Sequence, residues 1–161
     1  MATRRRLTHV DATGAPAMVD VSAKAPTTRD AIARGHITVS ATGRRLVTQG
    51  AVEKGDPLHV ARVAGVMAAK RTADLIPLCH QLALSKIDVD IRPTRSGYSI
   101  TAHVRTNGPT GVEMEALVAV SAAALTVYDM LKAVDRDMVI GDICLVEKRG
   151  GRSGVYRRKG E

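Results

Sequence analysis

Two alternating segments set almost end to end, LSKIDVDIRP (84–93) and GYSITAHVRT (97–106), constrain this chain more than any other feature. Strand side chains alternate between faces, so each segment carries one apolar face: Ile87, Val89 and Ile91 in the first, Tyr98, Ile100, Ala102 and Val104 in the second. Only a short TRS and Gly97 part them, which reads as a hairpin. An apolar sheet face must be covered, and two apolar helical segments flank the hairpin.

The first helix is announced by Asp56-Pro57, because Asp caps free backbone amides and Pro occupies the first turn without losing a needed donor. It is predicted to run from Pro57 to about Ala73, with Pro77 as its stop. Ala61, Ala64, Gly65, Ala68 and Ala69 recur on it at helical spacing and admit a second backbone closely. Lys70 and Arg71 stand near its C-terminus, where cations suit the helix dipole. The second helix follows NGPTG, with Thr110 and Glu113 in capping-box spacing, and is predicted to reach about Val134. A final strand is predicted over MVIGDICLVEK (138–148).

Upstream, residues 1–17 read as an arm and 18–161 as a single domain. MVDVS (18–22) reads as a short strand, AKAPTTRDAIARG as a polar stretch, and HITVSA (36–41) as extended. The order strand, helix, strand, strand, helix, strand predicts an α+β, ferredoxin-like antiparallel sheet with both helices on one face. The other face is left to solvent or a partner subunit.

The core must be built without Phe or Trp and with three Tyr, from an apolar share of 45%. Close packing with small side chains favours elements that approach closely and a subunit interface that completes burial, so an oligomer is expected. The net charge of +8 suits an anionic partner, either nucleic acid or a phosphorylated small molecule. No apolar stretch follows the N-terminal arginines, and ALVAVSAAALTV (116–127) is short for a bilayer span, so a cytosolic protein is expected. Cys79 and Cys144 lack C-x-x-C spacing and read as reduced.

On the second helix Glu115, Val118, Ala122 and Asp129 fall near one stripe, with Lys132 one turn beyond Asp129. Asp129 and Lys132 are either a surface ion pair or a carboxylate and an ammonium that shift each other's pKa for acid/base work. Glu113 is accounted for by its capping position. Cys79 and His80 are neighbours in an extended segment and point to opposite sides, so a nucleophile and base dyad is disfavoured. No second Cys/His group completes a zinc site. Lys24, Lys54, Lys70, Lys132, Lys148 and Arg152 lie at or near element ends, where they can converge on an anion. KRGGRSG (148–154) is a basic glycine-rich loop without Walker A order.

LTHVD (7–11), MVDVSAK (18–24), KGD (54–56), AAKRTADLIPLCH (68–80), GVEMEAL (111–117), LTVYDMLKAVDRDMVIG (125–141) and GGRSG resemble the cyclic pyranopterin monophosphate synthase family, that of molybdenum cofactor biosynthesis protein C. The resemblance covers nearly the whole chain and implies a ferredoxin-like lyase. Such an enzyme converts 3',8-cyclo-dihydroguanosine triphosphate into cyclic pyranopterin monophosphate and pyrophosphate, in hexamers built as trimers of dimers with interfacial active sites. It implies Asp129 as active-site aspartate, Lys132 as its partner and Lys70 as a further catalytic lysine. Leu78, Cys79, His80, Met114 and Glu115 match substrate-contacting segments, and Asp20, Lys24, Lys54, Glu113 and Lys148 further pocket positions. No protein-held cofactor or metal is implied, with Mg²⁺ accompanying the triphosphate at most. Gln81 departs from the family's usual Pro, which relaxes the His80 loop. Two rivals differ in class: an RNA-binding module, disfavoured because such sheets stack bases on aromatics, and a silent scaffold, which would lack Asp129 or Lys132.

Overall fold

The computed structural model describes residues 13–152 and 154–160. Its elements are β1 (Thr27–Thr38), α1 (Ala41–Thr48), α2 (Pro57–Ala69), α3 (Thr72–Leu75), β2 (Leu84–Pro93), β3 (Gly97–Gly108), α4 (Glu113–Leu131), β4 (Ile140–Arg149) and β5 (Tyr156–Arg157). The strands lie in the order β2-β3-β1-β4-β5, and every neighbouring pair is antiparallel. This is the ferredoxin-like α+β arrangement with a short strand added at one edge. The arginines of the expected N-terminal arm lie outside the described residues.

The hairpin forms as its alternation requires. Ile100, Ala102 and Val104 are fully buried, and Val89, Ile91 and Tyr98 nearly so. β1 is longer than expected, beginning at Thr27 inside the stretch read as polar. Its inward residues are Ala31, Ala33, Gly35 and Ile37, mostly too small to mark a strand face by hydropathy. They are small because α4 lies directly on them: a Cβ at Gly35 would sit 2.7 Å from Val120 Cγ1. MVDVS is not a strand. Residues 17–21 have no ladder partners, and the Val19 carbonyl meets His80.

HITVSA is extended only to Thr38, because Ser40 caps α1, a helix absent from the sequence reading. Ser40 Oγ accepts from the Gly43 N–H at 3.1 Å, and the Ser40 N–H donates to Asp135 Oδ2 at 2.7 Å. The buried Asp135 carboxylate thereby ties the start of α1 to the turn after α4, and the Ser40 N–H, with the Asp137 N–H at 3.2 Å, holds its pKa below the usual carboxylate range.

Asp56 caps α2 as expected, accepting from the Leu58 and His59 N–H groups. α2 ends at Ala69, and the segment expected to continue it to Ala73 forms the separate turn α3, with Thr72 Oγ1 donating to the Ala69 carbonyl at 3.0 Å. The small-residue stripe has the predicted use: a Cβ at Gly65 would meet the Ala119 carbonyl of α4 at 2.9 Å. α4 stops at Leu131 rather than Val134, and its N-cap is Val112 with no side-chain hydrogen bond, so the expected Thr110/Glu113 capping box does not form. At 19 residues α4 is long and apolar enough to span a bilayer by length and composition. Here it is the core helix, with Ala116, Ala119, Val120, Ala123, Ala124 and Val127 wholly buried.

Candidate active site

α2 and α4 run antiparallel, since Gly65 touches Ala119 while Lys54, just before α2, reaches Asp129 near the end of α4. The C-terminal end of α2 and the segment 76–82 therefore lie beside the first turn of α4. There a cavity of about 600 Å³ opens, bounded by Leu78, Cys79 and His80 on one side and Glu113, Met114 and Glu115 on another, with Lys24, Lys148, Arg29 and Arg152 supplying cations. One wall is carboxylate and thiol, the others largely cationic.

Glu115 is the unusual group of this cavity. It is 4% exposed, and burial pushes its carboxyl from an ordinary 4.5 up to about 7, opposed by a hydrogen bond from its own backbone N–H and reinforced by the charge of Glu113. A carboxyl titrating near neutrality can give or take a proton at physiological pH. Cys79 is its neighbour, and burial together with the Glu115 charge pushes the thiol up as well. The thiol is therefore protonated at neutral pH and is no nucleophile, which agrees with the argument against a Cys-His dyad.

His80 does not face Cys79 as a base. Its Nε2 donates to the Val19 carbonyl at 2.8 Å, which leaves Nδ1 to meet a ligand and ties the ring to a residue that lines the cavity. Asp20 is exposed and spends its carboxylate on the Ser22 N–H and hydroxyl, which lower its pKa; its neighbours Val19 and Val21 line the cavity instead. Glu113 meets Lys148 Nζ at 3.4 Å, an ion pair in place of the expected cap. Lys70 caps the C-terminal end of α2 at this end of the molecule, exposed and outside the cavity lining.

Asp129, Lys132 and Lys54 form a separate cluster. Lys132 Nζ lies 2.7 Å from Asp129 Oδ1, Lys54 Nζ lies 3.6 Å from Oδ2, and Lys54 also donates to the Asp129 carbonyl at 3.2 Å. The Lys132 hydrogen bond and charge, then the charge of Lys54, pull the Asp129 carboxyl below its usual range, and Asp129 raises Lys132 in return. Fourteen helical residues separate Glu115 from Asp129, about 21 Å along the axis. The stripe expected to join them does not do so: Glu115 is buried and Asp129 is 56% exposed. Lys54 and Lys148, read as converging on one anion, likewise stand at opposite ends.

Carboxylates and ammonium groups thus cluster at both ends of one helix. The family model described as MoaC family matches residues 18–151. The chain belongs to the MoaC family. Curated relatives called cyclic pyranopterin monophosphate synthase agree with this. The chain is 57% identical over 157 residues to that of Pelotomaculum thermopropionicum, covering 96% of this chain and 92% of the relative. It is 61% identical over 152 residues to that of Methylobacterium sp. strain 4-46, covering 93% and 95%. The relative from Parvibaculum lavamentivorans is 53% identical over 157 residues, covering 96% and 98%.

In this MoaC-family chain the sequence reading missed Arg29. Arg29 Nε donates to the Gly108 carbonyl and Nη2 to the Pro109 carbonyl, both at 2.9 Å. The guanidinium thereby clamps the turn that leads into α4 and its carboxylates. Gly151 (φ +71°) lies against it, and a Cβ there would meet Arg29 Nη1 at 2.2 Å. The glycine pair of KRGGRSG is thus required to let the loop cross Arg29 and to place Arg152 at the cavity. The signal for Arg29 in the sequence is its place within a strand too small-residued to recognise.

Proposed function

We propose that the chain is a cyclic pyranopterin monophosphate synthase of molybdenum cofactor biosynthesis. It takes 3',8-cyclo-7,8-dihydroguanosine 5'-triphosphate to cyclic pyranopterin monophosphate with loss of pyrophosphate. The observation that carries this reading is the cavity at the start of α4, where a carboxyl titrating near neutrality shares one recess with Lys24, Lys148 and Arg152. A triphosphate needs the cations, and rearranging a purine-derived ring needs the acid/base groups. The family membership and the names of the relatives support the same reaction.

The catalytic unit in this reading is an assembly rather than one chain. Asp129, Lys132 and Lys54 stand too far from Glu115 to share a substrate within a protomer. An isologous pairing of two helix layers, antiparallel along α4, sets the last turn of one α4 beside the first turn of the other and makes two composite sites. α2 carries a surface suited to it, with Val60, Val63 and Met67 exposed at helical spacing and Leu125 of α4 exposed on the same layer. Three such dimers make the hexamer, working in the cytoplasm. In each site His80, Lys148 and the partner's Lys54 hold phosphate, Asp129 orients Lys132, and Lys132 and Lys70 assist proton transfers at the ring. Magnesium arrives with the triphosphate, held by no dedicated protein ligands.

Supplying the cyclic triphosphate and measuring pyrophosphate and the cyclic monophosphate tests the reaction. Wild type forms both, and a chain that forms neither refutes it. Mixing the impaired variants Glu115→Gln and Lys132→Ala, after dissociation and reassembly, tests the shared site. Composite sites recover about a quarter of wild-type turnover by random pairing, whereas sites lying within single chains recover none.

A further inference from the structure

The sheet face away from the helices carries a second organised set of titratable groups, outside the cavity lining and apart from the Asp129 cluster. His103 on β3 donates from Nε2 to Asp30 Oδ1 of β1 at 2.7 Å, and Lys86 Nζ on β2 donates to His103 Nδ1 at 3.3 Å. Arg105 Nε holds the same Asp30 oxygen at 2.9 Å. The strand register imposes this convergence, since Arg105 lies opposite both Asp30 and Lys86, and His103 lies opposite Asp88.

The three groups differ in freedom. The Asp30 and His103 side chains are 16% and 26% exposed, while Lys86 is exposed. Burial raises the Asp30 carboxyl, but the hydrogen bonds from His103 and Arg105 and the Arg105 charge outweigh it, so Asp30 stays ionised. An ionised acceptor at Nε2 puts the ring proton there and turns the Nδ1 lone pair toward Lys86. The result has the logic of a carboxylate, imidazole and nucleophile relay, with an amine in the nucleophile position.

We propose that Lys86 is an acylation site, activated by His103 and Asp30, that takes the acyl group of an acyl phosphate. The Lys86 ammonium passes one proton to His103 Nδ1, and its freed lone pair attacks the carbonyl carbon. The C–N bond forms as the C–O bond to phosphate breaks. Inorganic phosphate leaves with the bonding pair, the second amine proton and the imidazolium proton pass to solvent, and a neutral amide remains. No oxidant or reductant is required. Acylation removes one positive charge and one hydrogen bond from this face of the sheet.

The test is quantitative mass spectrometry of the intact assembly incubated with acetyl phosphate, comparing Lys86 with Lys159, an exposed lysine of the C-terminal tail. Lys86 is expected to gain acetyl about tenfold faster than Lys159. His103→Leu, which keeps the side chain's bulk on a half-buried strand, should bring Lys86 down to the Lys159 rate and leave Lys159 unchanged. Asp30→Asn should also slow Lys86 alone, and it serves if the His103 variant does not fold. Equal rates at Lys86 and Lys159 in the wild type, or a Lys86 rate indifferent to a folded variant of the relay, would overturn the proposal. The readout is independent of cyclase turnover, so its failure and a failure of the proposed function are separate results.

Discussion

At its first turn α4 holds Glu115 almost out of water, and at its last it holds Asp129 in water between two lysines. The helix is the same, and both groups are carboxyls. Burial pushes one up to about 7, while ammonium partners pull the other below its usual range. A carboxyl made reluctant to ionise and a carboxylate kept ionised are the two halves of acid/base chemistry, and one helix produces both by changing only what surrounds each end. In the proposed assembly each end supplies what the other lacks. The N-terminal end has the recess and the titrating group, and the C-terminal end has the paired lysines.

The sharpest way to break this contrast is to remove the exposed end. Asp129→Ala and Lys132→Ala should each lower turnover by about a hundredfold or more, with the melting temperature close to wild type, because a water-exposed ion pair holds little of the fold together. Equal losses in the two single variants and in the double variant would mark the pair as one unit. Full turnover in either single variant would reduce the cluster to a surface salt bridge.

The buried end responds in both activity and stability. Glu115→Gln should lower turnover about tenfold to a hundredfold. Its effect on folding has a definite sign. Between pH 4.5 and 7 the unfolded chain has already lost the Glu115 proton while the folded chain keeps it, so stability falls as pH rises through that window. The full loss is at most about 3 kcal/mol, from a shift of about two and a half pH units. Urea unfolding at several pH values should show this slope in wild type and its removal in Glu115→Gln. A slope that survives the substitution would assign it to another group.

Arg29→Lys asks whether the recess depends on a clamped loop. Lysine keeps the charge but cannot bridge the Gly108 and Pro109 carbonyls from two nitrogens. We expect kcat to fall about tenfold through misplacement of the carboxylates, with KM changed much less. A rise in KM at constant kcat would instead make Arg29 a phosphate ligand.

How far such residues were legible depends on whether their causes are local. Asp56-Pro57 and the alternating hairpin carry their instructions within a few residues, and both formed as read. α1 is held by Ser40 and by Asp135, ninety-five residues away, which periodicity in its own short sequence could not reveal. β1 was shortened in the reading because Ala31, Ala33 and Gly35 are small to admit α4, a tertiary demand that looks polar in one dimension. The carboxylates and lysines are legible as titratable groups, but their spacing along a rigid helix sets Glu115 and Asp129 about 21 Å apart, a distance that a shared stripe in the sequence conceals. Arg29 gains its role only from carbonyls seventy-nine and eighty residues downstream.

The smallest expected effect concerns the loop that shapes the recess. Gln81 is exposed directly after His80, in a stretch without helix or ladder bonds. The Gln81 N–H makes none of the backbone hydrogen bonds that brace this segment, whose nearest one runs from the Cys79 N–H to the Ile76 carbonyl at 3.0 Å. Gln81→Pro therefore restricts the unfolded chain without removing a native bond, and should stabilise the protein by about 0.5 kcal/mol. Because His80 is already anchored to the Val19 carbonyl, the substitution should leave kcat within about twofold of wild type. A large gain in turnover would show that the Val19 contact does not hold His80 and that loop stiffness limits the buried end of the site. A destabilisation would show that the backbone at 81 is bent away from the φ that proline fixes.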